Sequence, residues 1–226
     1  MNVLVLAAHP DDEVLGCGGT IARSVAEGHR VTVAILGQGA ASRHHPGTPE
    51  AAAEIAELAQ SSRAAGRILG TDDVRHCGLP DNRFDSLDLL DIVKLIEEIG
   101  REVQPEVVYA QHGGDLNVDH AITFRAAMTA FRPIAGTRVQ TLYAYEVVSS
   151  TEWAFDRFAP TFTPDTFVNI DTYLERKLNA MAAYASELRE FPHPRSLEGI
   201  TSQARNRGTR IGVGAAEAFM TIWRRI

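Results

Sequence analysis

The opening stretch of the chain, residues 1–36, constrains the fold more than any other part of it. Residues 2–8 (NVLVLAA) are a short apolar run of β-forming residues and read as a buried parallel strand. A polar turn, His9 to Glu13, follows, and Val14 to Glu27 then carries helical spacing closed by Gly28. Val31 to Leu36 is a second buried run. Strand, turn, helix and strand make a βαβ unit, whose crossover is right-handed and whose helix covers one face of a parallel sheet.

The alternation continues. Glu50 to Leu69 is Ala-rich with helical spacing and ends at Gly70, and Val74 to Cys77 reads as a short strand before the loop Gly78 to Asp85. Leu87 to Val103 carries a helical stripe, Glu106 to Ala110 a strand, and His120 to Phe131 a helix. Thr141 to Val148 reads as a strand, Leu174 to Arg189 as a helix, and Ala218 to Trp223 as a strand or a short helix. With no repeat and no break in composition, the expectation is one α/β domain over residues 1–226. It is Rossmann-like, a mostly parallel sheet with helices on both faces. In such a sheet the active crevice lies beyond the carboxyl ends of the strands.

Composition excludes some partners. The formal net charge is −7 and no run of Lys or Arg stands out, so no nucleic acid or membrane-surface partner is expected. The N-terminal apolar run lacks a basic start and stops by His9, which suits neither a signal peptide nor a membrane span. Cys17 and Cys77 make no disulfide framework or CxxC pair, which fits a reducing, cytoplasmic location.

Two polar clusters follow strands. His9-Pro10-Asp11-Asp12-Glu13 packs ligands and bases into one turn, and Pro10 pushes His9 toward an extended conformation. Successive side chains in a turn diverge, so one of Asp11 and Asp12 can bind a metal while the other faces its water. An acidic N-cap accounts for one aspartate, but not for two beside a histidine, whose mutual repulsion calls for a cation. The second cluster runs from Gln111 to His120 (QHGGDLNVDH). His9, Asp12 and His120 together give the two-His, one-carboxylate set of a catalytic zinc. The same set also holds ferrous iron in oxygenases, although Asp11 would then lack a role.

At these residues the chain resembles the PIG-L/LmbE-like family of zinc-dependent N-acetyl-sugar deacetylases. The family's Ala-His-Pro-Asp-Asp-Glu stands here as Ala8 to Glu13, and its downstream Asp-His element as Asp119-His120. Weaker matches are Gly16-Cys17-Gly18-Gly19, Leu79-Pro80-Asp81 and Pro192-His193-Pro194-Arg195. The resemblance implies one Zn2+ per chain on His9, Asp12 and His120, with Fe2+ the alternative metal, and Asp11 as general base. It implies an N-acetylglucosamine-type sugar or conjugate as substrate, and a homo-oligomer. Many members carry His-Pro-Asp-His in the second motif, where this chain has Asn117-Val118-Asp119-His120. Asn117 can donate a hydrogen bond to an oxyanion but carries no proton, which leaves His112 as the nearest residue for an acid role. Asp119 is expected to orient an imidazole.

Arg43, Asp81, Arg83 and Arg195 lie in turn-rich segments and are candidates for gripping the substrate, as is Asn82. The alternative for each is a solvated side chain or a turn. The glycines at 16, 18 and 19 read as close helix–strand packing rather than a dinucleotide loop, since the acids just before them would repel a pyrophosphate. Ser149-Ser150-Thr151-Glu152 matches a helix capping box. A sugar- or nucleotide-binding module without hydrolase activity is the non-enzymatic alternative.

Overall fold

The computed structural model describes residues 1–39, 45 and 47–226. Arg43, weighed above for substrate binding, and His44 fall outside the described residues.

The strands are β1 (Asn2–Ala7), β2 (Arg30–Gly37), β3 (Val74–Leu79), β4 (Val107–Gln111), β5 (Thr141–Tyr145), β6 (Thr166–Asn169) and β7 (Ala216–Arg224). The helices are α1 (Asp12–Ala26), α2 (Pro49–Leu69), α3 (Leu89–Val103), α4 (Val118–Ala130), α5 (Leu174–Ala182) and α6 (Leu197–Thr209). All seven strands form one sheet in the order β3-β2-β1-β4-β5-β7-β6. Strands β3, β2, β1, β4 and β5 are parallel, and β7 joins antiparallel to both β5 and β6. Ala216–Arg224 is thus a strand, one of the two readings open from its sequence.

Alternation along β1 feeds two cores. Val3, Val5 and Ala7 pack on one face with Leu15 and Ile21 of α1 and Leu58 of α2. Leu4, Leu6 and Ala8 pack on the other with Ile92, Ile96 and Ile99 of α3 and Ala126 of α4. A strand covered on both faces needs apolar residues at every position, which is why this one shows a continuous run. Local chemistry sets the helix ends. Thr48 accepts from the Ala51 amide at 3.3 Å ahead of Pro49, and Gly70 closes α2 at φ 100. Asn117 caps α4 through the Asp119 amide at 2.9 Å.

Three boundaries depart from the sequence reading. The helix expected over 174–189 stops at Ala182, because Ala183 and Tyr184 turn back onto Ala180 and Met181 while the Tyr184 hydroxyl commits to Glu13 in the core. The strand expected over 141–148 ends at Tyr145, where Val147 and Thr151 form a turn and Ser149 adopts φ 68. Ser149–Glu152 makes half of the capping box, the Ser149 amide donating to Glu152 Oε1 at 2.6 Å, but it heads only the short 3-10 turn Glu152–Ala154. Strand β6 and helix α6 had no forecast.

The order places β1 beside β4 with Val5 opposite Tyr109, and both strands end within two residues of that pair. Connections leave β1 and β4 to opposite sides of the sheet, so their carboxyl ends flank the crevice at which the winding reverses. The turns carrying the two polar clusters leave the sheet at this point.

Candidate metal centre

His9 and Asp12 stand at the end of β1 and start of α1, and His120 stands in the first turn of α4. One donor atom from each lies within 4.8 Å of the others. His9 Nδ1 is 3.4 Å and His120 Nε2 3.3 Å from Asp12 Oδ2. The far nitrogen of each ring is held by a carboxylate: His9 Nε2 donates to Asp119 Oδ2 at 3.0 Å, and His120 Nδ1 donates to Asp115 Oδ2 at 2.7 Å. With those nitrogens as donors, the other nitrogen of each ring is the one turned toward Asp12, and its lone pair is open to a metal once the ring is neutral. Asp12 is held in turn by the His9 amide at 2.8 Å and Gln111 Nε2 at 2.9 Å.

This donor set fits zinc. Two imidazoles and a carboxylate are a frequent catalytic-zinc combination, and carboxylates behind the ligating histidines are the usual outer support. A second grouping, His9 with Asp81 and Asp119, also brings donors within 4.8 Å. It would take the His9 nitrogen that donates to Asp119, and it leaves His120 unused, so the first grouping is the better fit.

The electrostatics point the same way. Asp11, Asp12, Asp81, Asp115 and Asp119 are all buried. Burial alone would lower the imidazole pKa values. Hydrogen bonds to Asp119 and Asp12, with the charge of Asp12, instead raise His9 to about 10. The charge of Asp12 and the bond to Asp115 raise His120 to about 9. Burial alone would likewise raise Asp12, but His120 and His9 hold it well below the usual carboxylate range. The cluster draws positive charge from whatever supplies it, proton or cation.

Asp11 points elsewhere. It sits at φ 103 ahead of α1 and makes no side-chain capping bond, so a capping hydrogen bond does not account for Asp11. Its Oδ2 lies 3.3 Å from Arg195 Nη1. Burial first, then the charge of Asp12, pushes the Asp11 carboxyl well above its ordinary range, against the pull of Arg195. Glu13, the last acid of the turn, faces inward, accepting from the Tyr184 hydroxyl at 2.5 Å and the Asp11 amide at 3.2 Å.

A cleft of about 440 Å³ opens over these groups, lined by His9, Asp11, Asp12, Asp81, Asn82, Asn117, His120, Trp153, Glu187 and Arg195 among others. Asp81 Oδ1 is 3.4 Å from His9 Nε2. Asn117 Nδ2 donates to Asn82 Oδ1 at 3.0 Å, so its donor faces a neighbour across the cleft wall. Three of the described candidates named from sequence do not line this cleft: Asp119, which is fully buried behind His9, together with His112 and Arg83. His112 is buried away from it, its Nε2 donating to the Pro160 carbonyl at 2.7 Å and its ring edge on Phe162. Arg83 is exposed at the start of the 3-10 turn Phe84–Ser86 and is absent from the cleft wall.

Several contributors have no role in the sequence reading. Asp115 opens the Asp-Leu-Asn-x-Asp-His stretch of the second motif, yet its partner His120 is not evident from the spacing alone. Gln111 reads only as the last residue of a strand. Tyr184 and Glu187 lie far along the chain in what read as a plain helix.

The family model described as PIG-L, GlcNAc-PI de-N-acetylase, matches residues 4–131, which includes both polar turns. The chain belongs to the PIG-L family. Within it, the chain is 29% identical over 191 residues to the Escherichia coli deacetylase YaiS, covering 82% of this chain and 91% of that protein. It is 28% identical to the 1D-myo-inositol 2-acetamido-2-deoxy-alpha-D-glucopyranoside deacetylase of Kribbella flavida, covering 83% of each. Among solved structures, GalB of Pseudomonas putida KT2440, the 4-carboxy-2-hydroxymuconate hydratase, aligns with TM-score 0.79 and 23% identity. That alignment covers 100% of this chain and 98% of GalB. At that identity the likeness is one of fold, and it couples this PIG-L fold to a protein named for a different reaction.

Proposed function

We propose that this PIG-L-family protein is a zinc-dependent amidohydrolase that removes the N-acetyl group from an N-acetylglucosamine-type sugar or sugar conjugate. The observation that carries the reading is the pairing of a two-imidazole, one-carboxylate donor set with a separate buried carboxylate, Asp11, on the same cleft. The names of the relatives support it: YaiS is named a deacetylase, and the Kribbella flavida protein a deacetylase of an acetamido sugar conjugate.

His9, Asp12 and His120 are the residues that would hold the zinc. Bound there, zinc supplies Lewis acidity toward the acetyl carbonyl and lowers the pKa of a water ligand to about 7. Asp11 takes the proton of the attacking water as its oxygen bonds to the acetyl carbon. Asp11 then returns that proton to the departing amine when the C–N bond breaks, leaving acetate and a free amino sugar. Its raised pKa suits this double duty, since a carboxyl far below neutrality would hold the proton too weakly to deliver it. With His112 turned to Pro160, no second acid is needed in this scheme. Asp119 and Asp115 keep His9 and His120 aimed, and Asn117 fixes the α4 start through the Asp119 amide. Asp81 and Asn82, on the cleft wall, are placed to accept hydrogen bonds from sugar hydroxyls. Trp153, also on the wall, offers an apolar face to a sugar ring.

No described helix is long and apolar enough to cross a membrane. Cys17 and Cys77 are both free thiols, which supports placing the enzyme in a reducing cytoplasm. A homo-oligomer is carried over from the family resemblance.

The test is acetate and free-amine release from a panel of N-acetylated amino sugars, with and without a chelator. Zinc-loaded protein that releases neither from any member of the panel removes the hydrolase reading in favour of a binding module. Asp11→Asn with full zinc content is expected to lose about 10²- to 10⁴-fold in kcat, the range for removing a general base. Near-normal turnover in that variant rules Asp11 out.

A further inference from the structure

Asp11 occupies a left-handed backbone conformation, φ 103, unusual for a residue with a side chain. Such a placement costs on the order of 1–3 kcal/mol and persists only where the surroundings enforce it. Two contacts enforce this one. Glu13 Oε2 accepts the Asp11 amide at 3.2 Å, and Glu13 is itself fixed by the Tyr184 hydroxyl. On the side-chain end, Arg195 Nη1 lies 3.3 Å from Asp11 Oδ2 and 3.3 Å from Glu187 Oε2. Asp11 and Glu187 are buried, while the Arg195 side chain is one quarter exposed (25%).

Glu13 belongs to the motif, but Tyr184, Glu187 and Arg195 all lie beyond the 4–131 stretch that the family model matches. The sequence motif therefore brings the base, and a distant part of the chain aims it. Arg195 stands in the cleft wall, yet the side-chain contacts it makes are with protein carboxylates. Here Nη1 is committed to two protein carboxylates, and Nε is buried with no hydrogen-bond partner among the described residues. Both contacts run through the one nitrogen Nη1, which bridges the two carboxylates and ties the position of Asp11 to that of Glu187.

We propose that Arg195, anchored by Glu187, is a positioning residue that aims the Asp11 carboxylate at the attacking water, rather than a substrate-binding group. The proposal rests on the reading of Asp11 as the general base. It assigns the aim of the Asp11 carboxylate to a pair of contacts, Glu187 to Arg195 and Arg195 to Asp11, among residues that line the cleft.

The experiment compares Arg195→Gln, Arg195→Lys, Glu187→Gln, Asp11→Asn and the double variant Asp11→Asn/Arg195→Gln, all zinc-loaded with metal content and melting temperature recorded. Misplacing a catalytic group by about 1 Å can cost about 10²-fold. The Arg195→Gln enzyme is accordingly expected to lose about that much in kcat, with KM within about twofold of the parent. Arg195→Lys should recover part of the loss, and Glu187→Gln, which keeps the guanidinium but loosens its anchor, should lose a few-fold in kcat. In the Asp11→Asn background the Arg195 change should add almost nothing, because residues acting as a unit are not additive. A raised KM with kcat unchanged makes Arg195 a substrate ligand and overturns the proposal. So does an Arg195 loss that multiplies with that of Asp11→Asn. If the Arg195 variants do not fold, Glu187→Gln decides alone: unchanged kcat overturns the proposal. Full activity in Asp11→Asn is a different failure, of the base assignment itself, and is read separately.

Discussion

Each imidazole of the centre is tied through its outward nitrogen to a buried carboxylate, His9 to Asp119 and His120 to Asp115. Outer partners of this kind set ring orientation and ligand basicity, and losing one typically costs about 10- to 100-fold in metal affinity. Asp115→Asn is therefore expected to weaken zinc binding by that factor while the fold persists. Competition against a chromogenic chelator measures it, and parent-like affinity would mean that Asp115 is only a turn residue. The same carboxylates make metal uptake a proton exchange. With His9 raised to about 10 and His120 to about 9, both rings carry a proton at neutral pH, and both must be neutral to ligate. Zinc binding at pH 7 should release about two protons, one from each ring, and affinity should climb as pH rises toward 9. Calorimetry in buffers of different ionisation enthalpy reads the proton count directly, and a count of zero contradicts the charge state. His9, Asp11, Asp12, Asp119 and His120 were legible in the sequence because each follows a recognisable strand at short range. Arg195 was visible only as a loop arginine. Its contact with Asp11 spans 184 positions, and no local pattern encodes a pairing at that separation.

Helix α1 must lie close to the sheet for the turn before it to reach the crevice, and Gly16 is what allows it. A Cβ at Gly16 would run into the ring of Tyr145, whose hydroxyl is itself fixed to the Leu6 carbonyl at 2.7 Å. The ring cannot swing aside without breaking that buried bond. Overpacking of a core by added methyl groups costs about 1–3 kcal/mol, and Gly16→Val is expected to fall in that range or above it by denaturant unfolding. The displaced α1 also carries Asp12, so the folded fraction should bind zinc less tightly. A variant as stable as the parent would show that helix and sheet can part freely. This close approach was readable from the glycine cluster, as were β1 and β2, because buried strands write themselves as apolar runs, whereas β3 (VRHCGL) has no fully buried residue and gives a weaker signal. Helix α6 was not. It buries only Ile200, Ala204 and Gly208, a four-residue spacing of mostly small side chains on a polar background, so its stripe carries little hydrophobic signal. Strand β6 has four residues, none fully buried, and is defined by its pairing with β7 rather than by its own composition.

At the scale of the whole molecule, the sheet brings the polar turns to one edge, and the centre concentrates their charge there. The turns after β1 and β4 bring Asp11, Asp12, Asp115 and Asp119, and the loop after β3 brings Asp81, all of them buried. That density of negative charge opposes folding unless cations share the space, and protons on His9 and His120 neutralise only part of it. A dication bound only by the folded state stabilises it by RT ln(1 + [L]/Kd), about 2.7 kcal/mol when free zinc is 100 times its Kd. For a domain of this size about 1 kcal/mol moves the melting temperature by roughly 2–4 °C. Zinc-loaded protein should therefore melt roughly 5–10 °C above the same protein in chelator, on the combined scale of ligand linkage and unfolding entropy. Asp12→Ala should erase the difference, since it removes the carboxylate that both imidazoles face. The variant also distinguishes a specific site from loose binding to surface acids, which Asp12→Ala leaves intact. Equal melting temperatures with and without zinc in the parent protein would mean that the buried carboxylates are balanced entirely by protons, and that the two turns converge for some purpose other than holding a metal.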